Sequence, residues 1–155
     1  MLDILNGSAV RAVAGNRADY RPLIDGADPE GRIRQLRQRF NCDQFYLADL
    51  DAIVFRHPQR KLWRDLAAVC GQLWLDPGIC TTAMLADLKL AGNVTPIVGS
   101  ETAVALDMLL QDSAYSDLIF SLDLCQGTPI AADPSWQGLS SIQSARKLVH
   151  RGAKN

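Results

Sequence analysis

Apolar residues recur along this chain in two alternating rhythms. Short, nearly unbroken apolar runs stand at QFYLAD (44–49), QLWLD (72–76), TPIVG (95–99) and LIFSLDL (118–124), and runs of this length bounded by Gly, Pro and Asp predict buried strands. A clipped run, Met1-Leu2-Asp3, predicts one more at the start. Between the runs the apolar spacing lengthens to that of a helix. Asp28 as cap and Pro29 at the first helical position start a helix over 29–40, with Ile33, Leu36 and Phe40 on one face. Pro58 introduces a second helix carrying Leu62, Leu66 and Val69, and Thr81 or Thr82 caps a third carrying Leu85, Leu88 and Leu90. The third should end at Gly92 in the left-handed conformation. Ser100 opens a fourth through Leu106, Leu109 and Leu110, and a fifth runs from about Leu139 to His150, closed by Gly152. Strand and helix in strict alternation, with strands apolar on both faces, predict a parallel sheet covered on both sides.

One phrase is written twice. Leu2-Asp3-Ile4, then Gly7-Ser8 and Val10, matches Leu122-Asp123-Leu124, then Gly127-Thr128 and Ile130, at an offset of 120 residues. In both copies an apolar run reaches an aspartate, a glycine turn and a β-branched residue, the pattern of a duplicated supersecondary block. Acidic and glycine residues also follow every strand: Asp3, Asp49 and Asp51, Asp76 and Gly78, Gly99 and Ser100, Asp123. A dinucleotide-binding fold would want Gly-x-Gly-x-x-Gly after its first strand, which Asn6-Gly7-Ser8-Ala9-Val10-Arg11 does not supply. Polar groups at all the strand ends instead fit a barrel whose site is assembled at one face. In an eight-unit barrel, strands one and five lie opposite, so Asp3 and Asp123 are expected to face one ligand across its mouth. The fold expected is therefore α/β, an incomplete (β/α)8 TIM-type barrel of five parallel βα units. Residues 1–155 form one partial domain in this reading, and units six to eight are absent. The counterpart of strand 44–49 would fall beyond Asn155, which leaves open barrel edges suited to self-association.

Composition narrows the partners. With 16 Lys and Arg against 17 Asp and Glu the net charge is −1, which offers no electrostatic case for nucleic acid or an anionic membrane surface. No long apolar segment opens the chain, so a cytoplasmic location is expected. The cysteines Cys42, Cys70, Cys80 and Cys125 have no Cys-x-x-Cys pair, and His57 and His150 stand alone. No metal is expected on those spacings, the cysteines read as small packing residues, and the three tryptophans read as packing. Gly99-Ser100 at a predicted helix start is a plausible phosphate cradle, since free amides converge there. Arg11, Arg17 and Arg21 fall in the long loop after the first strand, where one could meet an anionic group. Asp49 and Asp51 read as turn formers first.

Taken together, Asp3-Ile4-Leu5-Asn6-Gly7 with Val10-Arg11, Asp49-Leu50-Asp51-Ala52, Gly78-Ile79, Ile97-Val98-Gly99-Ser100 and Ser121-Leu122-Asp123 resemble the histidine-biosynthesis barrel family. The resemblance spans nearly the whole chain in order. It is closer to the aldose–ketose isomerases of that family than to their sister cyclases, which typically continue the first motif with Lys-Gly where this chain has Arg11-Ala12.

The resemblance implies an Amadori-type isomerase of a phosphoribosyl aminoimidazole carboxamide intermediate in histidine biosynthesis, with a small phosphorylated sugar-like substrate and no cofactor. It implies Asp3 as general base and Asp123 as general acid, phosphate contacts from Gly78, Gly99 and Ser100, and weaker substrate contacts from Arg11 and Asp51. One departure stands at 76–80. The family's run of glycines followed by Ile-Arg is here Asp76-Pro77-Gly78-Ile79-Cys80, which removes an amide donor and a positive charge and adds a negative one. That departure keeps two alternatives open: a divergent paralogue in pterin-dependent one-carbon metabolism, and a non-catalytic half-barrel remnant or interaction module. Little or no isomerase activity is expected of residues 1–155 alone.

Overall fold

The computed structural model describes residues 1–13, 16–24, 28–86, 88, 90–111 and 118–153, without the side chain at 111. It divides into two compact units, residues 1–77 with 90–95, and residues 78–89 with 96–155.

The first unit holds β1 (Leu2–Leu5), β2 (Ser8–Arg11), β3 (Arg21–Pro22), α1 (Pro29–Phe40), β4 (Gln44–Asp49), α2 (Leu50–Phe55), α3 (Arg60–Ala67) and β5 (Gln72–Asp76). Its strands lie in the order β3-β2-β1-β4-β5. The β1–β4 and β4–β5 pairs are parallel, and β2 and β3 add an antiparallel flank. Alternation sends Leu2, Ile4, Phe45, Leu47, Leu73 and Leu75 to one face, all buried, the expected partner of an apolar helix layer. Asp28 caps α1 as expected, accepting from the amides of Glu30 and Gly31, and Ile33 is buried. Phe40 departs from the predicted face. It is the last helical residue, exposed, with the Arg39 guanidinium over its ring.

The second unit holds α4 (Thr82–Ala86), most of β6 (Val94–Gly99), α5 (Leu106–Gln111), β7 (Ile119–Ser121), β8 (Leu124–Cys125), β9 (Thr128–Pro129) and α6 (Ser141–His150). β6 and β7 pair in parallel, and β8 and β9 form a hairpin. Ile79, Leu85, Val98, Leu106, Leu109 and Trp136 anchor its core. Ser140 and Gln143 close a capping box at the start of α6, a reciprocal satisfaction of orphan donors. Gly152 ends that helix at a φ of 107°.

Five of these strands lie where the apolar runs predict them, and the architecture is α/β with mostly parallel strands. Among the described residues no strand pairing closes the sheet into a ring, and no helix is long and apolar enough to cross a membrane.

The duplicated phrase builds the same turn twice. Asn6 and Gly7 have φ values of 52° and 72°, and Gln126 and Gly127 have 50° and 80°. Two successive left-handed residues make the type I′ turn that suits a tight hairpin. Neither glycine would crowd a neighbour if it carried a Cβ, so glycine is there for its conformation. What reads as the beginning of a loop after strand one is thus a β-hairpin.

One helix, α2, is not among those expected, and two others differ from their predicted spans. α2 follows β4 without a loop because Asp49 caps it. α4 ends at Ala86; positions 87 and 89 of the expected helix lie outside the described residues. Gly92 is not left-handed, since it sits in the turn that closes from the Val94 amide to the Ala91 carbonyl and not at a helix end. α5 begins at Leu106, because the Gly99 carbonyl takes the amides of Thr102 and Ala103 and the Asp133 carboxylate caps the Leu106 amide.

Candidate functional site

The face of the first unit's sheet opposite Ile4 and Leu47 is where chemistry collects. Register pairs Asp3 with Ala48 and Ala48 with Asp76, and partners in a parallel ladder project to the same side. Two carboxylates therefore flank one small residue on a single face. Val10 stands across from Asp3 on the antiparallel side. Two residues earlier on β4 and β5, Tyr46 pairs with Trp74. Trp74 is 39% exposed, so it is not the packing residue expected, whereas Trp63 and Trp136 are buried.

Asp3 is 8% exposed, and among the described residues its carboxylate has no hydrogen-bond or ion-pair partner. Burial pushes it above the ordinary carboxylate range, and the terminal amino group and Arg17 pull it back only in part. Arg17 belongs to a short 3-10 turn, Arg17–Asp19. That turn is followed by Tyr20, whose ring packs with the cluster of Val10, Ala48, Leu50 and Ile53. The segment is tied down beyond Tyr20 by β3 and by the Leu23 amide on the Ala9 carbonyl.

Asp49 and Asp51 behave differently. Asp49 is buried and accepts from the Ala52 amide at 3.0 Å, the Gln59 amide at 2.8 Å and the Trp63 indole at 2.7 Å. Burial still raises its pKa, with Asp51 adding to the rise against those donors. Asp51 accepts from the Gln59 side chain at 3.2 Å. Gln59 thus clamps both carboxylates to the α2–α3 connection, an arrangement that shapes the backbone. Arg11 is exposed at the end of β2 opposite Arg21, and alternation turns it away from the face that Val10 shares with Asp3.

In the second unit Asp123 organises a turn. Its carboxylate accepts from the Glu101 amide at 3.0 Å and the Ser121 hydroxyl at 3.1 Å, and the Ser100 hydroxyl lies 3.4 Å away. The Asp123 amide in turn donates to Ser100 Oγ at 2.9 Å. The Ser100 amide bonds Ser121, while those of Thr102 and Ala103 bond Gly99. An anion at Gly99-Ser100 would compete with Asp123 for the Glu101 amide. Gly78, left-handed at a φ of 67°, precedes Ile79, whose carbonyl accepts from the Thr102 hydroxyl at 3.1 Å. The structure therefore joins Ser100 to Asp123 and links the Gly78 loop to the 99–103 turn.

Cys70 and Cys80 are buried as expected, and burial pushes the Cys70 thiol up. Cys125 departs, exposed on β8. Among the described residues no cluster of three metal-binding side chains occurs.

No protein-family model matches this chain, and no curated protein sequence matches it.

The pairing of Asp3 with Asp76 through Ala48 is not evident from strand-end positions alone. The signal for it lies in the likeness of QFYLA to QLWLD. Aligned by their leading glutamines they give the observed register, Gln44 with Gln72 and Ala48 with Asp76.

Proposed function

We propose that this chain carries part of the acid–base machinery of an aldose–ketose isomerase acting on a phosphorylated sugar-like aminoaldose, on the scaffold of a partial (β/α)8 barrel. In the finer form of the reading, the substrate is the phosphoribosyl aminoimidazole carboxamide intermediate of histidine biosynthesis. The observation that carries it is the buried Asp3 carboxylate, which has no donor among the described residues. Proton abstraction from the carbon next to a carbonyl or imine needs a base whose pKa is lifted toward the working pH, and burial without compensating donors does that.

In the reaction the ring oxygen is protonated as its bond to C1 breaks, giving an open-chain iminium. Asp3 then takes the proton from C2, and the resulting enaminol becomes the ketone as C1 gains a proton. Atoms and charge balance without a cofactor. Phosphate contacts from Gly78, Gly99 and Ser100 belong to the same reading and require Asp123 to leave the Glu101 amide.

A second reading, a divergent relative with another ligand or no catalysis, is favoured by the internally satisfied amides of the 100–103 turn. The two separate on one experiment. Carbon-13 NMR of the labelled aminoaldose with the purified protein should show C1 pass from hemiaminal to methylene and C2 from carbinol to ketone, and Asp3→Asn should abolish it. Because residues 1–155 alone are expected to turn over weakly, the conversion is followed over long incubation against a protein-free control; a rate no faster than that control, or the same rate in the Asn variant, would overturn the isomerase reading.

A further inference from the structure

The acid that must accompany Asp3 has a second source inside the same unit. We infer that Asp76 is the catalytic partner of Asp3, the group that protonates the ring oxygen before Asp3 takes the C2 proton. The inference rests on the isomerase reading for its chemistry, but its geometry stands alone.

Asp3, Ala48 and Asp76 are consecutive register partners across three parallel strands. The two carboxylate-bearing positions are thus about 10 Å apart, two inter-strand spacings. Asp76 is 7% exposed, and a carboxylate held at that depth on a structured strand is oriented before any ligand arrives. Ala48, itself buried, is the small residue between the two. Asp3 supplies a further observation at the same place, a buried carboxylate without a partner among the described residues. Tyr46 and half-exposed Trp74 lie on the same face beside the pair, offering a flat apolar surface to a ring.

The charged and titratable groups around Asp3 are the terminal amino group and Arg17, which favour its ionised form; Asp76 shares its sheet face, and Tyr20 and Tyr46 pack beside Val10 and Ala48. Two carboxylates at this separation, poorly screened by water, should sense each other's charge.

The test combines titration with kinetics. In the unaltered protein, side-chain carboxyl carbon-13 shifts of Asp3 and Asp76 are followed with pH, and each curve should carry an inflection at the other's midpoint. In Asp76→Asn the Asp3 midpoint should move down. Independent single-step titrations in the unaltered protein overturn the pairing, and this arm needs no variant to fold and no substrate. Where turnover is measurable, Asp76→Asn should lower kcat by about 100-fold or more with KM little changed, the usual scale for removing a general acid; a folded Asn variant that retains kcat overturns the role. Absence of turnover in the unaltered protein would overturn the isomerase reading and leave the titration to decide the pairing.

Discussion

Asp3 and Asp123 occupy the same place in two hairpins of one design, each across from a β-branched residue seven positions on. Asp3 is the register partner of Val10, and the Asp123 carbonyl accepts from the Ile130 amide at 2.8 Å. Their carboxylates nevertheless live in opposite conditions. Asp3 is buried without donors among the described residues, while Asp123 is half-buried with an amide and a hydroxyl on it. The repeated phrase thus builds the same backbone turn twice and surrounds its aspartate differently in each copy.

The first consequence is a pH dependence. Because Asp3 has its pKa raised in the folded protein, the native state holds a proton there that the unfolded chain has released. Stability should therefore fall as pH rises from the ordinary aspartate value through the raised one. Urea denaturation across that window should show the decline, and Asp3→Asn should flatten it and make the protein more stable at neutral pH. A variant with an unchanged slope would place the titration elsewhere.

Asp123 should respond the other way to mutation. Asp123→Ala leaves the Glu101 amide and the Ser121 hydroxyl to find other partners, while the Ser100 hydroxyl keeps the Ile130 carbonyl, at a cost of about 1–3 kcal/mol. Equilibrium denaturation gives the loss, and amide exchange at Glu101 should accelerate with it. Replacement without either change would show that this turn holds itself.

Much of this arrangement is legible in the residues, and its gaps have physical causes. The helix at 29–40 is written by Asp28 and Pro29 at its start and by Ile33 within it, all local determinants. The strand at 44–49 is equally local, since its apolar run needs no partner to be recognised. The hairpins are less so, because Asn6-Gly7 reads as any glycine turn until the strand beyond it is seen to pair back. The late start of α5 depends on Asp133, 27 residues from the Leu106 it caps, and no window of sequence contains both. The occupied state of Asp123 is likewise a tertiary fact, set by Glu101 and Ser100. At the candidate site Asp3 is visible in the sequence as an acid in an apolar strand, but its lack of donors among the described residues is a property of what surrounds it.

The two turn glycines allow a paired test. Gly7→Ala and Gly127→Ala would force a side chain into the left-handed region without any steric clash, so the cost should be that of the backbone alone, about 1 kcal/mol each. Gly92→Ala, where neither a positive φ nor a close neighbour intervenes, should be neutral or slightly stabilising. Thermal melts of the three variants give the comparison, and equal effects at all three positions would contradict the turn assignment.

Acid should act on the second unit through Asp133. Burial opposes its charge, yet the Ser135 hydroxyl and amide, the Leu106 amide and nearby Lys147 outweigh it and hold its pKa below the ordinary value. A depressed pKa contributes stability that is present above the unfolded value and lost as pH falls through the folded one. Asp133 caps the turn that seats buried Trp136 against Lys147, whose ammonium lies 4.1 Å from the ring centroid. In a protein whose other tryptophans are replaced by phenylalanine, Trp136 fluorescence should report the loss directly. Asp133→Asn should remove the acid-dependent part and lower neutral stability by about 1–3 kcal/mol, since an amide nitrogen then faces donors that need an acceptor. An Asn variant with the same acid transition as the unaltered protein would assign that transition to another carboxylate.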